Sequence, residues 1–360
     1  MAIATICTGC RFTGVAMISI RLFSALMGPF LTFSLICSAE ANAASQHSRT
    51  RAKTTKTAPA HVNKAVFSRT TKTTKITKSR IATRKVVFQP RVERDLDRDG
   101  NPLLKSSAFI VQDMDSGQVL LEKNSSLAQP IASITKLMTA MVVLDANLDL
   151  NEMLQVSDDD VDRLKGTSSH LPVGTSLTRD DMLRLALMAS ENRAASALSR
   201  YYPGGHSAFI QAMNDKARSL GLSETHFYDS IGLNRNNVSS PRDLVAMTTA
   251  ASHYQLIRDF TTTAEYSVPI NGRERAFRNT NALVRNSDWQ INVSKTGYIN
   301  ESGKCLVMQV VLANKRMAII LLDSQGSYTR VADAIRVRKW VENAVVPTRA
   351  PTALTVSRLD

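Results

Sequence analysis

Hydrophobic and polar residues follow regular strand and helix periods only from about Ser107 onward. Short apolar runs at Ala108–Gln112 and Gln118–Glu122 flank a Gly-containing turn, and this pattern predicts two paired strands. The part of the chain with regular periods is therefore expected to begin with strands. The same reasoning predicts that it also ends with strands before a last helix. Three further strands are predicted at Ile291–Tyr298, Cys305–Ala313 and Met317–Asp323.

Between these strands the apolar residues recur with the period of helices. Ser133–Leu148 carries its apolar residues on one face, which predicts a helix with a single buried stripe. Thr178 and the pair Ser240-Pro241 are typical helix starts, and Tyr328–Val345 is predicted to be a closing helix. Strands at both ends with helices between them predict the α/β class, as a sandwich with a largely antiparallel sheet flanked by helices.

The first 43 residues have the organisation of a secretory signal peptide. Arg11 and Arg21 precede the apolar run Leu22–Ser38, and small residues ending at Ala43 follow it. Cleavage after Ala43 is expected, which would place the mature protein in the periplasm. An uncleaved membrane anchor is the competing interpretation, although the apolar run is short of the roughly 20 residues that cross a bilayer.

Residues 44–92 are strongly basic and are predicted to form a disordered linker. They contain thirteen Lys or Arg and no acid, so this segment accounts for most of the net charge of +14 and residues 93–360 are formally neutral. A chain with so few large apolar groups cannot offset its ordering entropy. We expect a spacer that can also rest on an anionic wall or membrane surface. The export signal disfavours nucleic acid as a partner.

The remaining boundaries and the cysteines follow from this division. Residues 93–346 are expected to form one catalytic domain, and 347–360 a short polar tail. Three of the four cysteines lie in the signal segment, which leaves Cys305 as a thiol without a disulfide partner, predicted to be buried in a strand. The six histidines show no metal-ligand spacing, so no metal or other cofactor is expected.

Ser133 and Lys136 are the first candidates for catalytic residues. They are three positions apart at the start of a predicted helix, so their side chains share a face. A serine hydroxyl becomes a good nucleophile when a base takes its proton, and a lysine can be that base only while its amine is neutral. Burial and the nearby cation of Lys295 are both expected to lower the pKa of Lys136.

Ser190-Glu-Asn192 lies between two helical patterns, where side chains can point into a cleft. Ser190 could relay a proton towards a leaving amine, and Asn192 could hold a substrate amide. The competing interpretation is structural, because serine is a favoured helix N-cap residue.

Lys295-Thr-Gly297 lies within a predicted strand. Lys295 and Thr296 should point to opposite faces, so both reach a substrate only if the strand is distorted, which Gly297 would permit. A strand edge with a cation and a hydroxyl suits an extended peptide that ends in a carboxylate. The N–H groups of Tyr298 and Ser133 would then bind the oxyanion.

In this order the three motifs resemble the active-site motifs of penicillin-binding proteins and class A β-lactamases. The segments Ala132–Thr139, Asp229–Asn234 and Lys295–Cys305 are similar to the low-molecular-mass D-alanyl-D-alanine peptidases, and the resemblance covers about residues 107–345. It implies the penicillin-binding fold, periplasmic hydrolysis of peptidoglycan peptide crosslinks, and β-lactams as covalent inhibitors. The site residues it implies are Ser133 as the acylated nucleophile, Lys136 as its base, and Ser190, Asn192, Lys295, Thr296 and Gly297 in the cleft.

Three other functions stay open at this point. A carboxypeptidase that trims pentapeptides uses the same site, but many such relatives continue into a further domain and an amphipathic anchor, which the short stretch 347–360 does not resemble. A β-lactamase needs a positioned general base, and no acid between Ser133 and Ser190 lies in a Glu-x-x-Leu-Asn context. The intact motifs argue against a non-catalytic wall-binding protein. Glu191, in the middle of its motif, is assigned no catalytic role.

Overall fold

A computed structural model describes residues 96–326 and 329–345, without the side chains of residues 344 and 345. The predicted signal peptide, basic linker and polar tail lie outside the described residues. Order begins before Ser107, because Leu96 and Pro102 form a β-bridge and Trp340 Nε1 donates a hydrogen bond to the carbonyl of Gly100. In the part of the chain that the structure describes, no helix is long and apolar enough to cross a membrane.

Two strands from the start of this region and three from its end form one antiparallel sheet, as the hydrophobic pattern predicts. The strands are β1 (Ser106–Asp113), β2 (Val119–Lys123), β9 (Gln290–Ile299), β10 (Gly303–Leu312) and β11 (Lys315–Ser324), in the spatial order β2-β1-β11-β10-β9. Strand β9 is therefore an edge strand. Three small two-stranded sheets pair β3 (Gln129–Pro130) with β6 (Val238–Ser239), β4 (Met153–Gln155) with β5 (Ser176–Thr178), and β7 (Glu265–Ile270) with β8 (Arg273–Arg278).

The predicted helix starts are confirmed by their caps. The hydroxyls of Thr178 and Ser240 each accept a hydrogen bond from the backbone N–H three residues later, and Pro241 occupies the first turn of its helix. The helices of the described residues are α1 (Lys136–Asp145), α2 (Arg179–Met188), α3 (Asn192–Arg200), α4 (Gly205–Ser219), α5 (Pro241–Ala251), α6 (Gln255–Thr261) and α7 (Thr329–Val345).

Alternate residues of the sheet pack into two cores. Ile110 and Val307 face the core shared with the helices that follow β3, whereas Val111 and Leu306 face the core shared with α7. The side-chain period of two along each strand produces this division. The α/β sandwich with an antiparallel sheet flanked by helices is confirmed.

Helix α1 is buried more completely than its sequence predicts. Every residue from Lys136 to Val143 is buried, although the apolar positions indicated only one buried stripe. The helix contacts α2, α3, α4 and α5, so neighbouring helices also cover the faces that carry Thr139 and Ala140. This central position encloses the amine of Lys136, which is 0% exposed.

Candidate active site

Ser133 and Lys136 meet where a short 3-10 turn, Ala132–Thr135, leads into α1. Lys136 Nζ lies 2.8 Å from Ser133 Oγ and 2.8 Å from Asn192 Oδ1, and it donates a further hydrogen bond of 2.6 Å to the carbonyl of Ile231. Two of the three predicted motifs therefore converge on one amine. The spacing of three residues brings the hydroxyl and the amine into contact, as predicted.

Burial lowers the pKa of Lys136 from 10.5 to about 7, while the charges of Asp229 and Glu191 partly oppose that effect. The predicted lowering by burial is confirmed. Burial and the charge of Lys136 also lower the pKa of Lys295 well below its usual value, so the expected repulsion between the two lysines is present in the site. Repulsion between like charges acts on both members of the pair, so their titrations are coupled.

The carbonyl of Ile231 is aimed at Lys136 by a loop that sequence reasoning identified only through a family resemblance. The carboxylate of Asp229 accepts hydrogen bonds from four successive backbone N–H groups, those of residues 231–234. Asn237 Nδ2 donates another to the same carboxylate. An aspartate followed by a glycine-containing turn is a typical signal for such a loop, and could have identified Asp229.

Two glycines from distant parts of the chain lie against the backbone of the serine turn. A Cβ atom on Gly232 would lie 2.0 Å from the carbonyl oxygen of Ala132, and Gly232 has a φ of +84°. A Cβ atom on Gly297 would lie 2.8 Å from the carbonyl oxygen of Ile131 and 3.2 Å from Ser133 N. Only residues without a side chain permit this close approach.

Strand β9 is regular where it carries Lys295, Thr296 and Gly297. Its register with β10 continues without a shift from Ile299 to Val293, so the structure shows no distortion there. Both side chains nevertheless reach the segment around Ser190, because Lys295 donates to Ser190 Oγ and Thr296 contacts Thr280, whose N–H donates to the carbonyl of Met188. Gly297 instead serves the close approach to the serine turn. The side chains of Lys295 and Thr296 are both buried, and Thr296 Oγ1 lies 2.7 Å from Thr280 Oγ1.

Ser190 does not cap a helix. It has a left-handed backbone with φ of +61°, and the N-cap position of α3 belongs to Glu191. The Oγ atom of Ser190 accepts a hydrogen bond of 2.9 Å from Lys295 Nζ. Left-handed backbone is uncommon outside glycine, and at Ser190 it accompanies the contact that joins the second motif to the third.

Asn192 connects the buried amine to a loop at the front of the cleft. Its Oδ1 accepts from Lys136, and its Nδ2 donates to Thr167 Oγ1 at 3.0 Å. Asp162 in turn accepts hydrogen bonds from the N–H groups of Leu164, Lys165 and Thr167. The segment 162–167, called the front loop below, is thus fixed to the site through one amide.

Arg330 is a site residue that sequence reasoning missed. It lies in the first turn of α7 and donates a hydrogen bond of 3.1 Å to the carbonyl of Gly297. Burial lowers its pKa, and its charge also lowers the pKa of Lys295. Because α7 contains several arginines, its sequence gives no signal that singles out this one.

Glu191 is also more than a spacer between two site residues. Its side chain is 5% exposed and accepts hydrogen bonds from Ser169 Oγ at 2.6 Å and from the backbone N–H of His170 at 3.3 Å. It therefore fixes the segment that follows the front loop. The negative charge of Glu191 also raises the pKa of Lys136, so Glu191 acts on that amine electrostatically and without a hydrogen bond to it.

The family model for D-alanyl-D-alanine carboxypeptidase, peptidase family S11, matches residues 97–326. The chain belongs to this family. Among curated S11-type relatives, the D-alanyl-D-alanine endopeptidases of Pseudomonas aeruginosa and Escherichia coli are 44% and 43% identical over 259 residues, which is 71% of this chain and 83% and 84% of those proteins. The D-alanyl-D-alanine carboxypeptidase of Streptomyces sp. strain K15 is 32% identical over 243 residues, or 62% of this chain and 83% of that protein.

Solved structures agree with the S11 assignment. The crystal structure of the Streptomyces K15 DD-transpeptidase aligns with a TM-score of 0.61 at 28% identity, covering 67% of this chain and 98% of that one. A D-alanyl-D-alanine carboxypeptidase from Mycobacterium tuberculosis aligns equally well, with a TM-score of 0.61 over 69% of this chain and 94% of that one. The fold is therefore that of the penicillin-binding DD-peptidases, as the motifs predicted.

Proposed function

We propose that this protein is a periplasmic serine DD-endopeptidase that hydrolyses D-alanyl peptide crosslinks of peptidoglycan. The observation that carries the proposal is the buried Lys136 amine, 2.8 Å from Ser133 Oγ, with a pKa of about 7. A group with this pKa is about half neutral at pH 7, so the serine has a base in a substantial fraction of the molecules. The endopeptidase rather than the carboxypeptidase activity is supported by identities of 43–44% to named endopeptidases, against 28–32% to several named carboxypeptidases.

Acylation begins when Lys136 accepts the proton of Ser133 Oγ. The oxygen attacks the D-alanyl carbonyl, and the resulting oxyanion accepts hydrogen bonds from the N–H groups of Ser133 and Tyr298. Gly297 is what allows these two donors to approach one another, since its missing side chain admits the serine turn against β9. Each such donor contributes about 100-fold or more to the rate.

Collapse of the tetrahedral intermediate expels the amine of the second peptide. That amine takes a proton from the Lys136 ammonium, with Ser190 as the relay, and the acyl group stays on Ser133. The hydrogen bond that Lys295 donates to Ser190 Oγ supports this role, because it holds the hydroxyl between the second and third motifs. Asn192 holds Lys136 in place and offers its amide to the substrate. Water then attacks the acyl-enzyme with Lys136 again as base.

A carboxylate on the leaving peptide would bind in a site formed by Lys295, Arg330 and Thr296. Lys295 donates only to Ser190 Oγ and to the carbonyl of Thr296 among the described residues, so its charge has no acidic partner there. Burial, Lys136 and Arg330 all lower its pKa. A substrate carboxylate would reverse that effect, since an opposite charge favours the protonated amine. β-Lactams, which carry a carboxylate beside a strained amide, would acylate Ser133 by the same route.

Digestion of purified muropeptides tests this function. The mature protein is given a crosslinked dimer and a monomeric pentapeptide, and the products are read by mass spectrometry. We expect conversion of the dimer to monomers. Loss of only the terminal D-alanine would identify a carboxypeptidase instead, and no turnover of either substrate would favour a non-catalytic wall-binding protein.

The N-terminal 92 residues support export and wall contact in this proposal. Residues 1–43 would direct the chain to the periplasm, and the thirteen cations of 44–92 would hold it near an anionic wall or membrane surface. Deleting 44–92 is expected to leave turnover of small soluble peptides unchanged and to reduce co-sedimentation with purified cell walls at low salt. A large loss of activity on soluble peptides would contradict a linker role.

A further inference from the structure

An ion pair joins the two walls of the cleft at its mouth. Lys165 Nζ lies 2.5 Å from Glu301 Oε1, and the two side chains are 24% and 34% exposed. Lys165 belongs to the front loop, which is attached through Asn192 to the helical wall. Glu301 belongs to the turn between β9 and β10, which continues the sheet wall. A peptide that extends from Ser133 along the end of β9 would pass this pair.

The direction of β9 indicates which part of the substrate would lie near the Lys165–Glu301 pair. In the proposed mechanism Lys295 and Arg330 bind the leaving peptide, and the acyl carbonyl lies beside Gly297. Beyond Gly297 the edge strand continues to Ile299, so the acyl-donor peptide extends along this part of the edge. At about 3.3 Å per residue, Glu301 lies roughly two to four extended residues from the scissile bond.

Two cations act on the carboxylate of this pair. The hydrogen bond from Lys165 lowers the pKa of Glu301, and the charge of Arg235 lowers it further. An exposed pair of this kind is weak, because both partners keep much of their hydration. A second carboxylate can therefore replace Glu301 beside Lys165 at little cost.

We propose that Lys165 binds a free carboxylate of the acyl-donor stem peptide, and that Glu301 is the internal competitor which that carboxylate displaces. The inference rests on the proposed function, because it assigns the acyl donor to a peptidoglycan stem. Such a stem carries free carboxylates on its γ-linked glutamyl residue and on its diamino acid, and either lies within the required distance. The pair would then select for an acidic donor stem over an amidated one.

Protection against β-lactam labelling tests the inference without any turnover. Free stem tetrapeptides compete with a fluorescent penicillin for Ser133, and the concentration that halves the labelling rate is measured. Four peptides are compared: the acidic form, the form with the glutamyl carboxylate amidated, the form with the diamino acid carboxylate amidated, and the form with both amidated. For the wild type we expect the acidic form to protect at about three- to fivefold lower concentration than the doubly amidated form. The two singly amidated forms identify which carboxylate is bound.

Two variants distinguish a binding role of Lys165 from a structural latch, meaning an ion pair that only holds the front loop to the β9–β10 turn. Lys165→Met should abolish the preference for the acidic peptide, whereas Glu301→Gln should enlarge it, because Lys165 then has no competitor. A structural latch predicts the same change for both, since each variant breaks the same pair. Equal shifts in one direction, or a wild type that does not distinguish the four peptides, would overturn the inference.

Arg242→Met is the matched control. Arg242 forms a comparable exposed pair with Glu122, at 2.6 Å, beside β2 at the opposite edge of the sheet. Its removal should leave the protection by all four peptides as in the wild type. Because labelling needs no peptide hydrolysis, failure of this inference is distinct from failure of the proposed function, which the muropeptide digest reports.

Discussion

Ser133→Ala is expected to abolish peptide hydrolysis and covalent penicillin labelling together. Both reactions need the same oxygen, and no other hydroxyl in the described residues is hydrogen-bonded to Lys136. Removing a nucleophile and its base–nucleophile contact commonly costs about 10⁴-fold or more in rate. The measurement is mass spectrometry of intact protein after incubation with penicillin, alongside the rate of dimer cleavage.

Ser190→Ala is the control for this experiment. Ser190 is the proposed proton relay and not the attacking group, so this variant should label slowly but still reach one penicillin per protein. A thermal melt of both variants establishes that each is folded. Stoichiometric labelling of Ser133→Ala at the wild-type rate would show that another residue is the nucleophile.

Lys136→Arg is expected to lower the acylation rate by about 10³-fold, although it preserves a cation. A guanidinium cannot lose its proton in the accessible pH range, so it cannot accept the proton of Ser133. Stopped-flow acylation by a chromogenic β-lactam measures this loss. Lys216→Arg, at a partly exposed lysine paired with Asp145, is the matched control and should acylate normally.

The pH profile of the wild type tests the same residue without a substitution. With a pKa of about 7, the neutral fraction of Lys136 falls about tenfold for each pH unit below that value. Acylation should therefore rise with pH up to about 7 and level off above it. An acylation rate that is flat from pH 5 to pH 8 would exclude Lys136 as the base.

Local sequence patterns predicted the fold because local rules determine its elements. The hydroxyls of Thr178 and Ser240 cap their helices as their positions indicated, and strands β10 and β11 follow continuous apolar runs. The same rules failed for Ser190, which has a left-handed backbone and a hydrogen bond from the distant Lys295 instead of a helix cap. Serine is a good cap residue in general, so propensity favoured the wrong structure there.

The chemistry of the site could be predicted in part. A motif places Ser133 beside Lys136, since three residues span less than one helical turn. The partners that come from elsewhere in the chain are different: the Ile231 carbonyl and the Arg330 side chain carry no sequence signal, because any residue has a carbonyl and arginines are common on surface helices. The repulsion between Lys295 and Lys136 could be predicted from their charges, but the burial that lowers both pKa values could not, because it depends on the surrounding fold.

The two glycines around the serine turn have a consequence for inhibitor resistance. Gly232 and Gly297 leave no room for a side chain, so a substitution at either would displace the backbone of the nucleophile itself. Variants that exclude a drug yet still cleave peptide are therefore expected at the mouth of the cleft, on the front loop or the β9–β10 turn, where side chains have space. An inhibitor confined to the volume between the two glycines would leave the protein few mutational routes of escape.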